Sequence, residues 1–249
     1  MASTCGAWRK GRYGTEMHVL VVGSRGQLGR EIVRCLEAGR SELGPVPDAF
    51  QRAQVTGVDI DTLDVSDLPK TIRFFDETRP DFAINCAAYT NVDGCESNPA
   101  DAFRGNAIVP RNLAIAAERC GAKLVHLSTD YVFSGDEPAP RCEFDRPSPV
   151  SVYGKTKLSG EEFVKSFSSR WFIVRTAWLY GANGKNFVKA ILKRARETGS
   201  VTVVNDQIGN PTNAADLAHH VLKIAATEEY GVYHCTGKGV CSWFEFAQK

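Results

Sequence analysis

The stretch from His18 to Leu36 leaves this chain few folds to choose from. His18-Val19-Leu20-Val21-Val22 is a continuous apolar run, the pattern of a strand buried on both faces. Gly23-Ser24-Arg25-Gly26-Gln27-Leu28-Gly29 follows at once, and Glu31-Ile32-Val33-Arg34-Cys35-Leu36 then spaces its apolar residues as a helix does. In that context the three glycines have distinct tasks. Gly23 makes the tight turn, Gly26 lets backbone approach a pyrophosphate, and Gly29 lets the helix lie close to the sheet. The helix N-terminus then faces the anion. The spacing is G-x-x-G-x-x-G, not G-x-G-x-x-G, and with both flanks present it predicts dinucleotide binding.

Further apolar runs follow at Val55–Val58, Phe82–Cys86, Lys123–Leu127, Phe172–Arg175, Val201–Val204 and Val232–Cys235, each read as a strand. Between them lie helical patterns at about 100–119, 187–198 and 216–226, with Pro110 expected to bend the first and Ser66 or Asp67 to cap another. Strand–helix alternation of this kind predicts an α/β protein, a doubly wound parallel sheet covered on both faces. Residues 39–54, with Pro45 and Pro47, read as an inserted loop, and 206–212 as irregular. The domain reading is a disordered extension over 1–16, a dinucleotide-binding domain over 17–175, and a smaller region over 176–249 interleaved with the last sheet elements.

Asp59 closes the second strand, where a Rossmann unit places the acid that holds an adenosine ribose. Asp59 favours NAD, whereas Arg25, inside the glycine turn, suits a 2′-phosphate; the two signals leave NADH and NADPH both open. Small residues at Ala87-Ala88-Tyr89-Thr90 allow close approach of a cofactor, and Ser128-Thr129-Asp130 sits at the end of a later strand. Ligands of open α/β sheets bind outside the carboxyl ends of the strands, so these segments converge on one edge.

Tyr153 and Lys157 reach the same edge. Four residues apart on a helix, they share a face, and an ammonium beside a phenol lowers the phenol pKa from about 10. Such a phenol is a general acid for a carbonyl oxygen becoming an alkoxide. Alone, the spacing is common on solvated helix faces; its weight comes from the convergence.

Composition excludes other classes. A formal net charge of +1 argues against a broad nucleic-acid-binding face, and no apolar run reaches the length of a membrane span. The eight cysteines are scattered without metal-ligand spacing, so small core residues in a reducing cytoplasm are expected, and no metal.

With these residues assembled, the chain resembles the extended short-chain dehydrogenase/reductases, and among them the dTDP-4-dehydrorhamnose reductase family, from Met17 to Lys249. The matching stretches are Gly23–Gly29, Cys86–Asp93, Ser128–Phe133, Tyr153–Leu158, Arg175–Tyr180 and Asn205–Thr212. The resemblance implies NAD(P)H-dependent reduction of the C4 ketone of a dTDP-linked deoxysugar, with Tyr153 as proton donor and Lys157 on the nicotinamide ribose. It implies Thr129 on the keto oxygen, Asp130 and Trp178 on the sugar nucleotide, and Gly23, Gln27, Leu28, Asp64, Val65, Ala87, Ala88 and Thr90 along the cofactor. A homodimer is a further implication. Family members continue some tens of residues past the position of Lys249, so the substrate side over 176–249 is expected to be partial and activity impaired. Two relatives of this superfamily share the general motifs: the non-catalytic NADP-binding regulatory β subunit of methionine adenosyltransferase, and the NDP-sugar epimerases and dehydratases. The first carries serine at the Thr129 position and lacks Trp178; a dehydratase carries an Asp-Glu pair where Asp130-Tyr131 stands here.

Overall fold

The six strands of the central sheet are β1 (His18–Val22), β2 (Gln54–Val58), β3 (Phe82–Asn85), β4 (Lys123–Thr129), β5 (Trp171–Thr176) and β6 (Gly231–His234). They appear in a computed structural model that describes residues 17–137 and 139–249; the expected extension over 1–16 lies outside the described residues. All neighbours pair in parallel, in the order β2-β1-β3-β4-β5-β6. The chain winds outward from β1 to β2 and then in the other direction from β3, so the carboxyl ends of β1 and β3 flank the switch point of an open α/β sheet.

Helices cover both faces because the central strands are apolar on both. On one face α1 (Gln27–Ala38) and α6 (Ala214–Ala225) pack Ile32, Leu36, Leu217 and Val221 against Val19, Val21, Val125 and Val174. On the other, α2 (Leu68–Thr78), α3 (Val109–Cys120) and α4 (Val152–Phe167) bring Phe75, Leu113 and Val164 onto Leu20, Leu124 and Ile173. Each fully buried side chain of this kind contributes about 1.5–3 kcal/mol. Asp67 caps α2 by accepting from the Lys70 amide, with Pro69 in the first turn. Residues 176–249 add α5 (Phe187–Thr198), α6, β6 and α7 (Trp243–Gln248), the last opened by a capping box between Ser242 and Glu245.

Three expectations change. Residues 39–53 are built rather than loose. A hairpin pairs Arg40–Ser41 with Gly44–Pro45, and Val46 and Phe50 are buried, Phe50 edge-on to Phe82 at 4.9 Å. Ahead of Pro110 the helical run is interrupted by a π-helical turn over Arg104–Ile108, between helix 99–103 and α3. Pro110 then sits in the first turn of α3, where its missing N–H costs no hydrogen bond. Val201–Val204 forms no strand; the pairings in that region are Ile208–Gly209 with Cys241–Ser242 and Thr212–Asn213 with Leu179–Tyr180. No helix among the described residues is long and apolar enough to cross a membrane.

Candidate active site

The glycine turn is held open by contacts that admit no side chain. Gly23 has φ 78°, and a Cβ there would lie 2.7 Å from the Ala87 nitrogen. A Cβ on Gly29 would lie 2.1 Å from the Gly23 oxygen, so this glycine sets how closely α1 meets β1. The amides of Gly23 and Ser24 donate to the Val58 carbonyl at 2.8 and 3.3 Å, tying the turn to the end of β2. Among the described residues no side chain caps α1 at Gly26, so its first-turn N–H groups and the positive end of its dipole face the crevice. That cradle fits a dinucleotide pyrophosphate.

The residues expected along a cofactor divide into two groups. Gly23, Gly26, Ala87, Ala88 and Thr90 lie at the carboxyl ends of β1 and β3, with Thr90 exposed. Leu28 and Val65, by contrast, bury their side chains in the two core layers, so only their backbone can face a ligand. Asp64 accepts from the Ser66 amide and hydroxyl at 2.9 and 2.7 Å, and the Val65 carbonyl accepts from Asn112. Gln27 donates to the Leu179 carbonyl and accepts from Asn186, tying the glycine turn to the region after β5. Asp59 accepts from Ser24 Oγ at 2.8 Å and pairs with Arg25 at 3.2 Å; the two residues that pointed to different cofactors are partners.

Tyr153 opens α4, whose N-cap is Ser151, its hydroxyl accepting from the Gly154 amide. A Cβ on Gly154 would lie 2.1 Å from the Tyr131 carbonyl. This contact brings the short 3-10 turn Asp130–Val132, at the end of β4, against the start of α4, with the Tyr131 and Tyr153 rings edge-to-face at 5.4 Å. Thr129 caps that turn, accepting from the Tyr131 amide and donating to Asp130 at 2.9 Å. Thr129, Asp130 and Tyr153 therefore meet at one place. Asp130 is raised above the usual carboxylate range by burial, and the Thr129 hydroxyl opposes this.

Lys157 does not lower the Tyr153 pKa as the spacing predicts. Its ammonium is buried and donates to the Leu127 carbonyl at 2.6 Å, and burial brings it down from 10.5 to about 8 despite the opposing carboxylate of Glu161. Tyr153 is not depressed. Burial raises it well above the ordinary phenol, and interaction with Thr129 recovers only part of that. Desolvation of the phenolate exceeds the attraction expected from the i, i+4 ammonium.

Trp178, implied on the sugar nucleotide, is itself packed by the chain. It has φ 47° and stacks on Trp243 with ring centroids 3.4 Å apart and planes 4° from parallel; Gly209 abuts its indole edge. One face of the indole is thus already covered.

Behind these groups lies a buried polar layer that periodicity did not reveal. Glu161, one turn beyond Lys157, accepts from Arg175 Nε at 2.9 Å, Arg175 Nη2 at 2.7 Å and Ser128 Oγ at 2.6 Å. His126 is fully buried beside Asn85, at 3.0 Å, and burial holds it far below its ordinary value, hence neutral. Asn106, in the π turn, brackets Tyr89 by accepting from its amide and donating to its carbonyl, and also donates to Thr156 on α4. It fixes the Ala87–Thr90 segment relative to the helix that carries Tyr153 and Lys157. The sequence signal for it was a lone amide side chain within a helical run.

Comparison with known proteins agrees with this geometry. The family model described as the RmlD substrate binding domain matches residues 17–249. A dTDP-4-dehydrorhamnose reductase structure from Clostridium acetobutylicum superposes with a TM-score of 0.87 at 45% identity, over 93% of this chain and 78% of that one. The dTDP-4-dehydrorhamnose reductase of Bacillus anthracis, solved in complex with NADP, gives 0.87 at 41% identity, over 94% of this chain and 80% of that one. The spore coat polysaccharide biosynthesis protein SpsK of Bacillus subtilis is 38% identical over 229 residues, 92% of this chain and 76% of SpsK. With its glycine cradle, its Thr129–Tyr153 junction and these likenesses along nearly its whole described length, the chain belongs to the dTDP-4-dehydrorhamnose reductase family.

Proposed function

We propose that the chain reduces the C4 ketone of a nucleotide-linked deoxysugar with NAD(P)H, converting dTDP-4-dehydro-L-rhamnose to dTDP-L-rhamnose. The observation that carries this reading is the junction of Thr129, Asp130 and Tyr153 at the sheet edge that also holds the glycine cradle. When bound, the nicotinamide supplies a hydride to the ketone carbon. The chain's own task is to hold the ketone oxygen and give it a proton. Tyr153 is suited to donate because burial keeps its phenol protonated at working pH. Thr129 Oγ1, which here donates to Asp130, is the second donor placed to turn toward a ketone oxygen. Residues 17–175 serve as the NAD(P)-binding domain, while 176–249 form part of the sugar-nucleotide side, with Asp130 and Trp178 at the boundary. We place the protein in the cytoplasm and take a homodimer as its working state. The direct test is loss of nicotinamide absorbance on mixing NADH or NADPH with dTDP-4-dehydro-L-rhamnose; no oxidation with either cofactor would overturn the assignment.

A pH dependence follows from Lys157. Below about pH 8 its ammonium is charged and available to a cofactor ribose; as pH rises through about 8 the folded protein releases that proton and the charged donor is lost. NAD(P)H affinity is therefore expected to fall between pH 7 and 9. Nicotinamide fluorescence titrations measure this, and a Lys157→Met variant should bind weakly with a flat profile over the same range.

A further inference from the structure

The charges at the adenosine end of the crevice form a clamp. Asp59 Oδ2 accepts from Ser24 Oγ at 2.8 Å and from the Arg25 amide at 3.1 Å, and pairs with Arg25 Nε at 3.2 Å. The far end of the same guanidinium, Nη2, pairs with Asp61. Asp61 is held there by a stapled turn, in which the amides of Thr62 and Leu63 donate to the Asp59 carbonyl at 2.9 and 2.8 Å and Thr62 Oγ1 accepts from the Asp59 amide. Two further arginines line the crevice beside Ser24: Arg30, whose Nε donates to the Arg25 carbonyl at 2.9 Å, and Arg34, which pairs with Glu31.

From this clamp we propose that Asp61 is a specificity-determining residue: by engaging Arg25 together with Asp59, it makes the chain prefer NADH over NADPH. The inference rests on the NAD(P)-binding reading above. An adenosine ribose presents two neutral hydroxyls, which Asp59 can accept from without disturbing the clamp. A 2′-phosphate adds charge approaching −2 at the same place. To pair with Arg25 it must draw the guanidinium from two carboxylates, and it then lies beside both of them. Arg30 offsets part of this repulsion without releasing Arg25. Because Arg25 and Asp61 are exposed, each pairwise effect is modest and screened by salt. The geometry matters more than the strength, since both carboxylates act on the one arginine of the glycine turn.

The experiment measures NADH and NADPH dissociation constants by nicotinamide fluorescence at low and at physiological salt. Wild type is expected to bind NADH more tightly. Asp61→Asn keeps the side-chain size and removes one negative charge, and should shift the ratio toward NADPH by about three- to tenfold at low salt, less at high salt. Adding Arg25→Ala to Asp61→Asn should remove most of that shift, because the freed guanidinium is its main source. A wild type that prefers NADPH, an unchanged ratio in Asp61→Asn, or a shift undiminished by loss of Arg25 would each overturn the proposal. If neither cofactor binds wild type, the NAD(P)-binding reading itself fails, and circular dichroism distinguishes that from an unfolded sample.

Discussion

Replacing Tyr153 by phenylalanine is expected to lower turnover by about 10²–10⁴-fold while NADH and NADPH still bind. The ring is mostly buried, packed with Cys95 and Ala102 and edge-on to Tyr131, and phenylalanine preserves all of that surface. What is lost is the phenolic proton that Tyr153 would place on a developing alkoxide. The raised pKa sharpens the expectation, because the phenol remains protonated in the resting protein and needs no prior proton uptake. A fall in kcat with little change in cofactor dissociation constant identifies Tyr153 as the donor; undiminished turnover would assign the proton to another group. Thr129 and Tyr131 carry the other hydroxyls at that junction, and Thr129→Val separates the threonine's part by its additional effect on substrate KM.

Much of the framework was legible because the signals were local. A parallel strand covered on both faces must be apolar throughout, and the six that form the sheet were visible as runs. Gly23 and Gly29 were legible because close backbone approach leaves no substitute for glycine. Val201–Val204 carries the same apolar signal but has no strand to pair with, and Val204 is half exposed; periodicity reports an apolar face, not the presence of a partner. The electrostatics of the site were not legible. Tyr153 and Lys157 share a helix face as their spacing required, yet the depth at which α4 packs decides their pKa values, and that depth is set by Gly154 against the Tyr131 carbonyl and Gly160 against the Asn106 carbonyl. Likewise Arg25 and Asp59 stand 34 residues apart in sequence but are joined once Val58 anchors the glycine turn.

Glu161→Gln is expected to be the most destabilising conservative change near the site, by about 3–5 kcal/mol, since it leaves the Arg175 guanidinium buried without its countercharge. Both partners are almost completely shielded, at 0% and 4% side-chain exposure. The other contacts of Arg175 include the Phe133 ring, 5.3 Å from its guanidinium carbon, and His234 at 3.4 Å, and the next carboxylate, Glu143, accepts from the His234 amide and makes no hydrogen bond to Arg175. Glutamine keeps the volume and one acceptor oxygen but cannot reproduce the paired bonds to Nε and Nη2 while also serving Ser128. Urea denaturation should show a lower midpoint with an unchanged slope. Replacing both partners together, as Glu161→Met with Arg175→Met, should cost much less than twice the single loss, because the uncompensated charge is gone. The same substitution acts on the chemistry through Lys157, whose ammonium Glu161 supports against burial. Without that carboxylate Lys157 releases its proton at lower pH, so the fall in cofactor affinity moves to more acidic conditions in Glu161→Gln. A loss of stability with no movement of that profile would confine Glu161 to holding β5 against α4 and separate it from the charge of the site.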